Sequence, residues 1–330
     1  YHTLEAHRTM QYMVANKYLD PAAQKAYIDG VNGCVEHVVV VQEIIQHAKK
    51  NKETMHTTWF DLEDAFGSVP HVLIPHVLSY YSLPKSIIAY ITSLYTKLKG
   101  KVFTKDWETD FFNFLKGVFQ GDPFSGVIFL IIFNPVIEYI KKLKETHGYT
   151  LKTLQKGAKN VITTPFADDF NLITHNKTIH QQIVTDVERK IISMGLVIKP
   201  QKCRSLSIVA GKPVNIPFKL KNKHSGDDVI ISSVIEKPMK FLGSEISETN
   251  TPSVMFASLL SKLKNKLENI DKSTIRGEYK CNIYSRYALP SLRYYFSVHH
   301  LHKTHEDQLD ALARSYLKKW LGIQKHGVTD

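Results

Sequence analysis

Apolar side chains recur at three- and four-residue intervals over 2–16 and again over 34–50, where Val35, Val38, Val39, Gln42 and Ile45 keep to one face, so both stretches are expected to be helices. The pattern then changes. "HTTWFDL" (56–62) is rich in β-branched and aromatic residues and is expected to be a strand. Pro70, with Ser68 near its N-cap, and Pro84 each open a helical pattern, because proline is well tolerated in a first turn. Pro123 opens a third, running to about Lys144. In "NVITTPFADDFNLITH" (160–175), two β-type runs flank Asp168 and Asp169, which predicts a hairpin with an acidic tip. A helix over about 177–194 is stopped by Gly195, short strands are expected at 196–198, 203–208, 229–235 and 240–246, and three or four helices fill 252–322. Mixed α/β elements therefore come first and helices last, with the boundary expected near "ETNTPS" (248–253).

Composition narrows the class. With 330 residues, 43% hydrophobic and 11% aromatic, the chain buries a substantial core, which argues against a disordered or fibrous protein. Three widely spaced cysteines (Cys34, Cys203, Cys281) make neither a disulfide scaffold nor a zinc finger. The longest apolar run, "VIFLIIFNPVI" (127–137), is shorter than the roughly 20 residues a membrane span needs, and no membrane partner is expected. The first residue is Tyr1, inside a helical pattern, so the chain is expected to be cut from a longer polypeptide. The formal charge of +12 is regional: net −2 over 1–140, +11 over 141–223 and +3 over 224–330. A polyanionic partner accounts for this through counterion release; a soluble protein with one basic face is the alternative.

Chemistry enters with three carboxylates. Asp61 ends a strand-like run, and Asp168 with Asp169 lies between two others. Carboxylates at strand ends suit Mg²⁺, which prefers oxygen ligands and shares them with substrate phosphates, although an acidic turn in solvent has the same residues.

The motifs around these residues resemble those of reverse transcriptases of non-LTR (LINE-type) retrotransposons, and they occur in that family's order. "FDLEDAF" (60–66) is similar to its first palm motif, "KGVFQGDPFSGVIF" (116–129) resembles GVxQGDPLSP, and "FADD" (166–169) looks like the YADD/FADD box. "GLVIKPQKC" (195–203) resembles the next motif and "KFLG" (240–243) the primer-grip hairpin; "GVNGCVEH" (30–37) resembles a fingers segment and "YLKKWLGI" (316–323) the end of the thumb. The resemblance implies an α+β right-hand polymerase fold, with fingers and palm (antiparallel sheet with helices) over 1–250 and an all-helical thumb over 251–330. It implies RNA-directed DNA synthesis in the nucleus, with template RNA, a DNA primer, dNTPs and two Mg²⁺ ions, Mn²⁺ being a substitute.

Residue by residue, the resemblance assigns metal binding to Asp61, Leu62, Asp168 and Asp169, and catalysis to the three aspartates with Lys202 as proton donor to the departing pyrophosphate. Phe66 matches the aromatic that collides with a 2′-hydroxyl, and Gln120 and Gly121 match the loop along nucleotide and template, where glycine permits close backbone approach. Phe241, Leu242 and Gly243 match the primer grip. Lys202 also reads as a solvated lysine, Phe66 as a core aromatic, and Phe241 with Leu242 as a buried pair before a turn. The chain departs from the family at Gly67, where Asp is common, and at Gly126, where Pro is common. The family's "RPI" segment and basic finger-tip residues are expected before Tyr1. Rival readings are another palm polymerase, such as a group II intron reverse transcriptase or an RNA-dependent RNA polymerase, and a degenerate fragment that binds RNA without polymerising. Among weaker signals, the histidines of "HHLHKTH" (299–305) are less suited to a metal than converging ligands from separate segments, Asp64, Ser68 and His71 are too close in sequence for a triad, and "SKLKNKLENIDK" (261–272) reads as a solvated amphipathic helix.

Overall fold

The structure is a computed structural model that describes residues 2–28, 30–31, 33–153, 157–222, 225–247, 252–299 and 302–323. Helices α1 (His2–Ala15) and α2 (Gly33–Lys50) precede strand β1 (Met55–Phe60), helices α3 (Leu73–Tyr80) and α4 (Lys85–Thr96), and the two-residue strands β2 (Lys99–Gly100) and β3 (Phe112–Asn113). Helices α5 (Pro123–Lys142) and α6 (Lys144–His147) lead into the hairpin of β4 (Tyr149–Thr153) and β5 (Gly157–Val161). Next come β6 (Phe170–Thr174), α7 (Lys177–Ser193), β7 (Arg204–Val209), β8 (Lys212–Val214), β9 (Lys219–Lys221), β10 (Asp228–Ile230), β11 (Ser232–Ser233), and the hairpin of β12 (Met239–Phe241) and β13 (Ser244–Ile246). Helices α8 (Pro252–Lys272), α9 (Gly277–Ile283), a π-helical turn (Tyr284–Ala288), α10 (Pro290–Val298) and α11 (Lys303–Leu321) complete the chain.

The main sheet has the order β11-β7-β1-β6, with β8 on the outer part of β7. It is antiparallel except that β11 runs parallel to β7, a departure from the purely antiparallel expectation. β1 is central and every residue of it is buried, although its sequence, MHTTWF, is half polar. Two of its three polar side chains find partners across the pleat, His56 and Thr58, while Thr57 Oγ1 is buried without a hydrogen bond. His56 Nδ1 lies 2.9 Å from Ser207 Oγ, its register partner on β7. Thr58 Oγ1 lies 2.8 Å from His180 Nε2 on α7, and the other nitrogen of that ring meets Thr174 Oγ1 at 2.9 Å.

α5 forms the middle of the core. Asp122 caps it by accepting the Phe124 N–H at 3.3 Å, and Pro123 occupies the first turn, where its missing donor costs nothing. The apolar run at 127–137, expected to be too short for a bilayer, is the middle of this 20-residue helix, which by length and composition is able to cross one; 78% of its most apolar window is buried in the fold. Its one buried amide, Asn134, shares its two N–H groups among Tyr18 O (2.8 Å), Tyr81 Oη (2.9 Å) and Glu138 Oε1 (2.9 Å). Rings link the sheet to the helix: Phe60 stacks on Phe170 at 4.7 Å, Phe170 meets Phe133 edge-on at 5.2 Å, and Phe133 stacks on Phe129 at 5.6 Å.

The chain divides into units 1–237 and 238–330. The division falls before the β12–β13 hairpin and not near 250, and residues 248–251 of the expected boundary lie outside the described residues. The second unit is thus a hairpin plus helices, not helices alone. In it Phe256, Leu259, Leu263 and Leu267 form the buried stripe of α8 against Leu292 and Leu309. Asp271 closes that packing by accepting from Lys319 Nζ (2.6 Å) and Trp320 Nε1 (2.9 Å). Gly277 is obligatory there, since a Cβ would stand 1.7 Å from the Trp320 carbonyl oxygen.

The histidines under the sheet set an acid limit. Burial pulls His56 down to about 4 and holds His180 well below the ordinary histidine range, so both stay neutral in the fold while the unfolded chain takes up protons below about pH 6.5. Stability contributed by the neutral rings is therefore lost as pH falls from about 6.5 toward 4. His56→Asn keeps a polar atom for Ser207 without the titration. It is expected to flatten the pH dependence of the urea unfolding free energy by up to one proton in that window; equal slopes in both proteins would refute the assignment.

Candidate active site

Asp61 follows the last residue of β1, and its main chain is pinned on both sides. Its C=O accepts the Lys199 N–H at 2.8 Å, and its N–H donates to Cys203 Sγ at 3.4 Å. Burial pushes the Cys203 thiol up to about 12, so it stays neutral beside the carboxylate. The next residue, Leu62, bridges Ile198, but the two bonds of that bridge come from the Asp61 C=O and the Glu63 N–H, so the ladder does not use the Leu62 C=O.

Asp168 and Asp169 sit on a tight turn in front of β6, in which Phe166 and Asp169 exchange main-chain bonds of 2.8 and 3.1 Å. The expected first arm of this hairpin is not a strand. β5 ends at Val161 and is already paired with β4, and Pro165 has no N–H to offer a ladder. Side chains take over instead: Asn171 Oδ1 accepts from Thr164 N (2.8 Å) and Oγ1 (3.1 Å), and the His37 ring, kept neutral because burial lowers it to about 4, donates from Nε2 to Pro165 O at 2.9 Å.

Because Phe60 pairs with Phe170, one step further along the same register sets Asp61 against Asp169. The carboxylates sense one another. Asp169 is pushed up to about 6 by burial and by the charges of Asp168 and Asp61, and Asp168 is raised by burial and by Asp61. Burial also raises Asp61, against the pull of Lys202, Lys199 and Arg204. Lys202 Nζ stands 3.9 Å from Asp61 Oδ1, an oxygen that is buried and accepts no hydrogen bond. A buried carboxylate oxygen without a donor, on an aspartate whose charge raises the pKa of Asp168 and Asp169, is the kind of oxygen ligand that a hard divalent cation such as Mg²⁺ prefers. The residues fit such an ion as neighbours still to be drawn together: among the described residues no three His, Cys, Asp or Glu side chains already form a ligand cluster.

Phe66 continues the line of core rings toward these carboxylates, stacked on Phe129 at 4.7 Å and 20° and half buried. Its edge partner is Tyr27, at 6.4 Å, a residue that the sequence reading missed and that no local pattern marks. Tyr27 is raised by burial and by the charge of Asp168, which places it beside the acidic turn. Its ring also explains Gly126, because a Cβ there would come within 2.8 Å of it. Gly67 has a similar reason: a Cβ would stand 2.1 Å from Asp64 Oδ2. The loop after β3 is tied to this region by Val118 N–H to Phe66 O and Gly117 N–H to Val69 O, both 2.8 Å. Gln120 and Gly121 are exposed beyond it. No protein atom lies within 4 Å of the Gly121 Cβ position, and glycine serves its φ of +94°; a Cβ on Gly117 would stand 3.1 Å from Gly67 O.

Phe241, Leu242 and Gly243 belong to the second unit. Phe241 is buried, while Leu242 (φ +46°) and Gly243 (φ +83°) make the turn of the β12–β13 hairpin. Tyr294 Oη donates to the Leu242 carbonyl and its ring lies 3.5 Å from the Gly243 Cβ position, so α10 orients the tip. The weaker signals carry no site. His302 and His305 touch only as rings, His300 lies outside the described residues, and Ser68 and His71 bond main-chain carbonyls.

Residues 5–246 match the profile of the family described as "Reverse transcriptase (RNA-dependent DNA polymerase)". The chain belongs to the reverse transcriptase family. Its relatives are of the non-LTR retrotransposon kind. It is 23% identical over 303 residues to the retrovirus-related Pol polyprotein from type-2 retrotransposable element R2DM of Drosophila melanogaster, covering 88% of this chain and 27% of that protein. It is 26% identical over 224 residues to the Pol polyprotein from type-1 retrotransposable element R2 of Nasonia vitripennis, covering 66% and 21%. The chain thus spans about a quarter of the length of these curated relatives. A structure of apo telomerase from Candida tropicalis, truncated from its C-terminal domain, superposes with a TM-score of 0.49 at 15% identity, over 75% of this chain and 44% of that one.

Like charges crowded at the end of β1 oppose folding of the reverse transcriptase, and a cation between them would relieve that repulsion. Asp169→Asn is expected to raise the stability of the cation-free protein by on the order of 1 kcal/mol, and added Mg²⁺ is expected to raise the melting temperature of the wild type but not of the variant. A melting temperature unaffected by both changes would separate the carboxylates from any shared site.

Proposed function

We propose that this chain extends a DNA primer 3′-hydroxyl with dNTPs on an RNA template, using two Mg²⁺ ions. The observation that carries this reading is that strand pairing brings Asp61 to the turn of Asp168 and Asp169, close enough for its charge to raise both, with Tyr27 linking that turn to the Phe66 ring. Asp61, Asp168 and Asp169 are the side chains that would hold the ions, with the main-chain oxygen of Leu62 beside them. Bound there, divalent cations supply positive charge to the attacking oxygen and the leaving pyrophosphate.

The remaining roles fall to the protein. Phe66, supported from behind by Phe129, offers its ring to the C2′ side of an incoming sugar, where a ribose hydroxyl collides with it. Lys202, on the solvent side of Asp61, donates a proton to the departing pyrophosphate. Gln120 and Gly121, exposed at the loop in front of α5, line the path of nucleotide and template. The basic segment 141–223 supplies phosphate contacts for the duplex. The β12–β13 hairpin with Phe241, Leu242 and Gly243 holds the primer end.

Asp168→Asn is expected to abolish extension of oligo-dT on poly-rA while leaving RNA affinity within about twofold, a change of less than 1 kcal/mol. Retained RNA binding by a wild type that never extends the primer would favour the rival RNA-binding fragment. Phe66→Val is expected to increase ribonucleotide incorporation relative to deoxyribonucleotide, at a stability cost of roughly 1–3 kcal/mol. The incorporation ratio is independent of the active fraction, so an unchanged ratio would leave Phe66 as a core residue only.

A further inference from the structure

We infer that Gln24 is a positioning residue of the acidic turn: its carboxamide pairs with both main-chain groups of Ala167 and so fixes where Asp168 and Asp169 point. The inference rests on the polymerase reading for its functional meaning, but its structural basis is separate. Gln24 lies in the loop between α1 and α2, 3% exposed. Its Oε1 accepts the Ala167 N–H at 2.9 Å, and its Nε2 donates to the Ala167 C=O at 3.4 Å.

Two features of the turn make that pairing necessary. Ala167 has φ +55°, a left-handed conformation that is unfavourable for an L-residue and persists where neighbours enforce it. In the turn Phe166 and Asp169 bond each other, which leaves the Ala167 N–H and C=O pointing out of the hairpin toward buried surroundings. Each would be left desolvated and destabilising without a partner. Gln24 answers both groups at once, as an opposing strand residue would. The same Oε1 accepts the Ala26 N–H at 3.1 Å, next to Tyr27, whose ring edges Phe66. One side chain therefore ties the turn bearing the carboxylates to the segment that flanks the sugar-facing ring.

Gln24→Met in the full chain tests this, because methionine keeps the length of the side chain and removes its hydrogen bonds. In the wild type the Ala167 amide is expected to be protected from hydrogen exchange; in a folded variant it exchanges at least about tenfold faster. Mn²⁺, followed by electron paramagnetic resonance without primer or nucleotide, binds several-fold more weakly, and kcat/KM for dTTP falls about 10- to 100-fold. A merely structural role would lower the active fraction and leave the Mn²⁺ dissociation constant and the KM for dTTP where they were. Unchanged Mn²⁺ affinity in a folded variant would overturn the inference. So would an Ala167 amide in the wild type that exchanges like an open loop, a measurement that decides the matter even if the variant does not fold. A wild type that binds Mn²⁺ through this turn, loses the binding in the variant, yet never extends a primer would remove the polymerase reading and keep the role of Gln24.

Discussion

With Phe60 opposite Phe170 on one edge and Trp59 opposite Arg204 on the other, β1 has no freedom of register. Side chains alternate across a strand, so a slip of one residue would turn Phe60 off its stack, separate His56 from Ser207, and carry Asp61 away from the turn at Asp168. The acidic site is therefore a consequence of how three strands pair. Its position is defended by the whole buried face of the sheet rather than by contacts among the carboxylates, which repel one another.

That repulsion is held in place by a polar interior that is matched in part, Thr57 Oγ1, Asn171 Nδ2 and Arg204 Nε being buried without hydrogen bonds. Thr58, His180 and Thr174 form one chain of hydrogen bonds, and His56 with Ser207 another, so a half-polar strand lies at the centre of the core without a large desolvation cost. Toward the site the matching gives way. Asp61 Oδ1 has no donor, Asp169 is pushed up to about 6, and Ala167 is left-handed. One strained residue and one unmatched carboxylate oxygen thus sit where a cation and substrate phosphates are proposed to bind, as stability traded for chemistry requires.

α5 shows how context decides the meaning of an apolar helix. Alone, Pro123–Lys142 has the length and hydropathy of a membrane span. In the fold it carries Phe129 and Phe133 into a line of rings from the sheet to Phe66, and so gives Phe66 a rigid backing. Aromatic stacking over several rings transmits position because close-packed rings do not deform one at a time.

Much of this was legible in the residues themselves. Periodicity marked α1, α2, α5 and α7 closely, since an amphipathic helix repeats its burial every turn, and the β-branched run at 56–62 marked β1. The order of short motifs marked Asp61, Asp168, Asp169, Phe66 and Lys202, and the fold brings these into one region. What the chain read alone could not supply was every element whose partner is remote. The run before Asp168 has strand composition, yet β5 had already paired with β4 and Pro165 blocked a ladder, so side chains from Asn171 and His37 finish the turn. The glycines at 67 and 126 read as departures until Asp64 and Tyr27 were found in the space a Cβ would need. Gln24 carries no local signature, because what it recognises is the backbone of a residue 143 positions away. Local periodicity is written in nearest neighbours along the chain; hydrogen-bond satisfaction and steric exclusion belong to neighbours in space, and only the tertiary structure chooses those.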